Sequence, residues 1–346
     1  EYVIRSIIGS GGYGTIYLAS PEARPDVSYA VKTLRWDLRA NRDRSEAMLN
    51  EIQTWMDLPP HPNIVKCLFY KTSNSVPIIF SEYVEGSDLR EHVHGEKLWT
   101  FEKILDVAIQ IAEGLRVAHH AGLAHLDVKP SNILVDSKGV AKLADFGLAR
   151  FLETDVSTRQ SHDLKREAQP LTCSGHTTYR GMTPLYCSPE QSEKAFVDQR
   201  SDIWSWALVV LETLFGIPSW VHGSMAAGWF SVMRPEILEH RYNTKNIMSL
   251  WDLLRKCLQE NPMDRIPSFD IVQQELIKIY KTETGLPYHR ALLDVTSRKD
   301  TKPPAWERRN PYTGILWKGP EFWFKSACEL LPELTRLDVR IPPIQG

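Results

Sequence analysis

Five cysteines in 346 residues, at positions 67, 173, 187, 257 and 328, form no CxxC pair. An odd, scattered set in a chain long enough for a large core argues against a disulfide framework and against cysteine-held metal. It suits reduced thiols in a cytoplasmic setting. Long apolar runs are scarce as well. The longest, Ile203 to Ile217, is broken by Ser205, Glu212 and Thr213 and is shorter than the roughly 20 residues of a membrane span, so it reads as a buried core helix. Charge of one sign is missing: 41 Lys and Arg face 43 Asp and Glu, which leaves no footprint for nucleic acid or a polyanionic membrane. Residue 1 is Glu and no charged-then-apolar leader follows. No signal peptide is expected at this end, and the chain is expected to be part of a longer multidomain protein. There is no internal repeat.

What is present is ordinary globular composition, 42% apolar and 24% charged, at a length suited to two or three domains or to one bilobal unit with an extension. Tyr2-Val3-Ile4, Thr15-Ile16-Tyr17-Leu18 and Tyr29-Ala30-Val31 are β-favouring runs separated by glycine and proline turns, a small antiparallel sheet. Met48, Leu49, Ile52, Trp55 and Met56 recur at helical spacing between Arg44 and Leu58, and Pro59-Pro60 ends the helix. Ile64 to Tyr70 and Val76 to Tyr83 read as two further strands. After Gly86 the pattern turns helical, with Leu105, Ile109, Ala112 and Leu115 on one face, and again from Ile203 and from Leu250. A β-rich front joined to an α-rich back near Glu82 to Glu85 is a two-lobed α+β plan. Past Tyr280 the periodicity fades into a proline- and tryptophan-rich stretch.

The chemistry concentrates in His-Leu-Asp-Val-Lys-Pro-Ser-Asn, residues 125 to 132, followed thirteen residues after Asn132 by Asp145-Phe146-Gly147. A carboxylate, an ammonium and an amide within six residues, then an apolar strand (Val140 to Ala144) and a second carboxylate, is what moving a phosphoryl group from a metal-bound nucleotide to a hydroxyl requires. A capped turn is the bland alternative, since Asp, Ser and Asn favour turns; the joint spacing of four polar groups argues against it. Upstream, Gly9-Ser10-Gly11-Gly12-Tyr13-Gly14 fits GxGxxG, in which backbone N–H groups approach phosphate oxygens. By itself the motif is weak. A dinucleotide-binding turn would continue as a helix after the third glycine, whereas Thr15 to Leu18 continue as a strand.

With these segments in place, residues 1 to about 280 resemble a eukaryotic-type (Hanks-type) protein kinase domain. The resemblance implies a bilobal α+β fold: a small antiparallel β-sheet N-lobe with one helix over residues 1–84, a larger, mainly helical C-lobe over 85–282, and a C-terminal extension of unknown role over 283–346. It implies ATP and Mg²⁺ as cofactors and a protein substrate. Asp127 is then the residue that accepts or orients the hydroxyl proton, Lys129 balances charge, and Asn132 and Asp145 ligate metal through oxygen. Lys32 grips phosphate and pairs with Glu51, which borders the buried helix face, rather than with Glu46. Gly9, Gly11, Gly14, Ile16 and Ala30 line the nucleotide site, with Ser81 guarding a roomy back pocket and Glu82 and Val84 forming the connector to adenine.

The same resemblance assigns Ser188-Pro189-Glu190, Asp202 and Arg265 to structural roles, an ion pair for Glu190 and Arg265 and backbone capture for Asp202. Lys129-Pro130-Ser131-Asn132 and Thr183 point to the serine/threonine branch, and the glycine-loop sequence points to bacterial members. Two departures stand out. Leu126 occupies the position at which the family often has an arginine, the usual docking point for a phosphate on the activation loop. Activity is therefore expected to be independent of such a phosphate, and a large reversible rate loss on phosphatase treatment, mapped to one loop residue, would refute that. The interval from Asp145 to Glu190 is long, and residues 152–178 read as an inserted mobile segment. A catalytically dead binding module and a small-molecule phosphotransferase are the competing readings. His61, His119, His120 and His125 show no metal-ligand spacing, and His125 reads as a core hydrogen-bonding residue.

Overall fold

The computed structural model describes residues 2–11, 14–34, 42–73, 76–95, 99–146, 184–193, 197–218, 220–292, 308–309 and 316–317. The first part is an antiparallel sheet made of β1 (Tyr2–Gly11), β2 (Gly14–Pro21), β3 (Tyr29–Leu34), β4 (Cys67–Ser73) and β5 (Val76–Glu82), with α1 (Arg42–Asp57) inserted after β3. Spatial order is β1-β2-β3-β5-β4. Its register sorts the side chains, because successive residues point to opposite faces. Ile16 stands opposite Lys32, Lys32 opposite Ile79, and Ala30 opposite Ser81, so these residues share one face. The other face carries Ala19, Val31, Ile78 and Phe80, packed with Tyr2, Tyr17, Tyr29 and Phe69 as a separate apolar cluster. Functional side chains are thereby kept apart from the aromatic ones.

The second part is mainly helical. A short sheet of β6 (Gly86–Asp88), β7 (Ile133–Asp136) and β8 (Ala141–Leu143) carries α2 (Leu89–His94) and α3 (Phe101–His120) between its first two strands. Then come α4 (Pro189–Glu193), α5 (Arg200–Phe215), α6 (Ala226–Val232), α7 (Glu236–Tyr242), α8 (Ile247–Cys257) and α9 (Phe269–Thr284), and, further on, a two-residue pairing of β9 (Arg308–Arg309) with β10 (Leu316–Trp317). Side chains of Asp88 and Thr100 cap α2 and α3 by accepting from the N–H groups of Glu91 and Lys103. The core helix expected from Ile203 to Ile217 is α5, which ends at Phe215 and is buried on nearly every side from Ser201 to Leu214; Ile217 lies past its end and is exposed. Among the described residues no helix is long and apolar enough to cross a membrane. One apolar core runs from Met48, Ile52 and Trp55 of α1 through α3 to α5, α8 and α9.

Two expectations shift. The strand placed at Ile64 to Tyr70 starts only at Cys67; Ile64 instead makes an isolated parallel bridge to Leu143, tying the loop after α1 to β8. The helical reading after Gly86 missed β6, whose three residues are too short for any periodicity to register. Cys67 and Cys257 are free, and with Cys187 they are buried; burial pushes the Cys67 thiol up to about 12, far from a reactive thiolate.

Candidate active site

The loop after α3 is held by α5. Asp202, fully buried in the first turn of α5, accepts the N–H groups of His125 at 2.7 Å and Leu126 at 2.6 Å and the ring of His119 at 2.8 Å. This is the backbone capture expected of it. Leu126 sits at φ 61°, a left-handed conformation that costs a non-glycine residue roughly 1–3 kcal/mol. Its carbonyl accepts from Gln191 Nε2 at 3.0 Å, so both sides of the strained peptide are pinned. His125, with no exposed surface, donates from Nε2 to the Ala144 carbonyl at 2.9 Å and accepts the Asp127 N–H at 3.3 Å. Phe146 packs tilted against His125 at 4.6 Å and meets Trp55 of α1 at 6.1 Å, an apolar link between the two parts.

Asp127, Lys129 and Asn132 converge. Lys129 Nζ donates to Asp127 Oδ2 at 2.6 Å, and Asn132 Nδ2 donates to the Asp127 carbonyl at 2.9 Å and to Oδ2 at 3.0 Å. Spending the amide nitrogen on Asp127 leaves the Asn132 oxygen as its ligand atom. Burial pushes the Asp127 carboxyl up, and the opposing pull of Lys129, His125 and Asn132 does not cancel it. Asp145 follows β8 at φ 64°, a second strained position. Its Oδ2 lies 2.7 Å from Lys32 Nζ, so the strand lysine and the carboxylate after β8 meet across the two parts. Glu51 is buried on α1 while Glu46 is exposed, in keeping with the buried-face placement expected of Glu51. An amide oxygen and a carboxylate are hard donors that fit Mg²⁺, a cation that takes few protein ligands and fills the rest with water and phosphate.

The glycines divide by cause. A Cβ on Gly14 would stand 1.9 Å from the Thr33 carbonyl oxygen, so this glycine is demanded by the close approach of β3. A Cβ on Gly11 would meet nothing within 4 Å. Gly14→Ala is therefore expected to lower the melting temperature markedly, whereas Gly11→Ala leaves it unchanged and raises the KM for nucleotide. Equal thermal shifts in both variants would contradict this. At the connector, the Glu82 N–H donates to the Lys66 carbonyl at 3.0 Å, which removes that N–H from those open to a ligand. The Glu82 carboxylate accepts from the Lys66 N–H at 2.9 Å and from Lys142 of β8 at 2.8 Å, linking the residue before β4, the connector and β8. Ser81 Oγ donates to the Ala30 carbonyl at 3.3 Å.

Glu190 and Arg265 form the expected ion pair, bidentate at 2.7 Å on both arms, with Ser201 Oγ donating to Glu190 at 2.6 Å. Thr183, Gly147 and the 152–178 segment lie outside the described residues. Gln191, Gln110, Asn63 and the carboxylate of Glu82 were not singled out from the sequence. A lone Gln or Asn leaves no pattern, and its use depends on which backbone group the fold sets beside it.

Sheet, helical body and converging polar loop together have the layout of a protein kinase domain. The protein kinase domain family matches residues 2–277, and the chain belongs to that family. It is 27% identical over 282 residues to a probable serine/threonine-protein kinase of Clostridium perfringens, covering 81% of this chain and 38% of that one. To the serine/threonine-protein kinase PknB of Mycobacterium leprae it is 28% identical, covering 81% and 43%. To a probable serine/threonine-protein kinase of Streptomyces coelicolor it is 32% identical, covering 68% and 33%. The chain thus spans less than half the length of these relatives.

Proposed function

We propose that this domain transfers the γ-phosphate of ATP to serine or threonine hydroxyls of protein substrates, in the cytoplasm and as part of a longer chain. The observation that carries the reading is the buried Asp127–Lys129–Asn132 cluster facing a Lys32–Asp145 pair at 2.7 Å. Asp127, whose carboxyl is raised by burial, takes or orients the proton of the attacking hydroxyl, since a base works best with a pKa closer to the operating pH. Lys129 offsets charge on the group in transfer. Lys32, kept in place by Glu51, holds nucleotide phosphate, and the shared sheet face of Ile16, Ala30 and Ser81 receives the base beside the Glu82 carbonyl and the Val84 backbone. Gly9, Gly11 and Gly14 bring the first hairpin over the phosphates. Asn132 and Asp145 would hold Mg²⁺, which would supply positive charge to offset that developing on the group in transfer.

The test is transfer of labelled γ-phosphate from ATP with Mg²⁺ to the chain and to a generic basic protein, with Lys32→Met and Asp127→Asn as controls. Label on serine or threonine, lost in both variants, is the expected result. ATP binding without transfer would replace the reading with a binding module, and label on a small metabolite with none on protein would replace it with a small-molecule phosphotransferase.

A further inference from the structure

The residues after α9 return to the body of the protein. Exposure alternates along them: Pro287 and His289 face solvent while Tyr288 and Arg290 are half-buried. Both inward side chains meet Asp106 of α3. Arg290 Nε and Nη2 donate to its two carboxylate oxygens at 2.8 Å each, and the Tyr288 hydroxyl donates to Oδ1 at 2.8 Å. Arg290 Nη2 also donates to the Gly139 carbonyl at 3.2 Å, in the turn that joins β7 to β8. Gly139 holds φ 74°, and a Cβ there would come within 3.8 Å of that guanidinium nitrogen.

Asp106 is connected further inward. Gln110, one turn along α3, donates from Nε2 to Asp106 at 3.2 Å and to the same Gly139 carbonyl at 3.1 Å, and its Oε1 accepts the Ala141 N–H at 2.9 Å. Asn63 completes the grip: its amide donates to Gln110 at 3.1 Å and to the Ala141 carbonyl at 2.9 Å, and its carbonyl accepts the Leu143 N–H at 2.9 Å. The hairpin so held runs from Ile133 to Leu143. Asn132 lies at one open end, and Asp145 lies just past the other. Two strands this short are marginal alone, so their geometry depends on what clamps them. The family match ends at residue 277, and Tyr288 and Arg290 lie beyond it.

We propose that Tyr288 and Arg290 are positioning residues for phosphoryl transfer: through Asp106 and Gln110 they clamp the β7–β8 turn and so fix the separation of Asn132 and Asp145. The inference rests on the kinase reading. A bidentate guanidinium–carboxylate pair adds directional restraint as well as charge, and the Asp106 side chain is only 13% exposed against 26% for Arg290. The hydrogen bond that Arg290 donates to Asp106 holds its guanidinium above the ordinary range, and burial together with Asp106 pushes the Tyr288 hydroxyl up. A ligand pair displaced by a fraction of an ångström costs rate, because transfer depends on alignment.

The test compares the full chain with Arg290→Ala and Tyr288→Phe in four readouts: kcat, the Mg²⁺ concentration for half-maximal rate, thermal unfolding, and hydrogen exchange of the β7–β8 amides. Arg290→Ala is expected to lower kcat about tenfold, to raise the Mg²⁺ requirement and to speed exchange at Ala141 and Leu143, with partial recovery on adding guanidinium. Tyr288→Phe, which keeps the ring against Tyr280 at 5.2 Å, moves the same readouts less and decides the matter if the arginine variant does not fold. A lower melting temperature with unchanged kcat, Mg²⁺ requirement and exchange would overturn the proposal. Exchange reads the clamp without turnover, so absent transfer in the unaltered chain counts against the kinase reading, whereas unchanged exchange in the variants counts against the clamp.

Discussion

Asp127→Asn is expected to lower kcat by roughly 10²- to 10⁴-fold, the range for losing a general base, while nucleotide affinity stays within about twofold. Asparagine keeps the shape and still accepts from Lys129, which donates to Oδ2 at 2.6 Å in the unaltered chain, but it cannot take a proton. The pH profile carries the sharper signature. Burial raises the Asp127 carboxyl above its ordinary value of 3.8 against the pull of Lys129, and the active form is the carboxylate. The rate therefore falls as pH drops through that raised pKa, so the acid limb lies above the usual carboxylate range. Removing the ammonium in Lys129→Met takes away a lowering influence and moves the limb further up. An acid limb that stays in place in Lys129→Met, or an Asp127→Asn enzyme with near-normal kcat, would remove Asp127 from the base role.

The legible part of this protein is the part encoded by short-range pattern. GxGxxG, the 125–132 run and Asp145 are local spacings, and helix periodicity told Glu51 from Glu46 because one borders Met48 and Trp55 and the other does not. The β-favouring runs Thr15 to Leu18 and Tyr29 to Val31 placed Ile16 and Ala30 on strands with Lys32 at the end of the second, and the register then put them on one face with Ser81. What the sequence hid is pairing at a distance. That Gly14 answers to Thr33 is decided by how closely β3 approaches, and that the Glu82 carboxylate serves the Lys66 N–H and Gln191 restrains Leu126 is decided by which backbone groups are left without partners once the chain is folded. The tail offered proline and tryptophan as its visible features, yet the contacts of its described start come from Tyr288 and Arg290, residues whose role exists only because α3 presents Asp106.

Arg265 is the second place where a large effect is expected. All of its N–H donors are used: Nε reaches the Gln259 carbonyl at 2.7 Å, and the two terminal nitrogens reach Glu190 at 2.7 Å each and the carbonyls of Arg200 at 3.2 Å and Glu260 at 3.1 Å. Its guanidinium lies 4.9 Å from the Trp204 ring. Removing one partner leaves the other charge buried, so Arg265→Ala and Glu190→Gln should each cost about 3–5 kcal/mol, with Arg265→Lys intermediate because an ammonium cannot reproduce the planar fork. Acid titration separates this pair from generic destabilisation. Burial pushes the Glu190 carboxyl up, but hydrogen bonds from Arg265 and Ser201 with the Arg265 charge outweigh it and hold the carboxyl below its ordinary 4.5. A depressed folded pKa contributes stability that is present above 4.5 and lost as pH falls toward the folded value. The unaltered chain should therefore lose more stability than Glu190→Gln on acidification below 4.5, and the gap between their denaturant midpoints should narrow. Curves that stay parallel through that window would show that the carboxylate charge is not what holds α4 to the loop before α9.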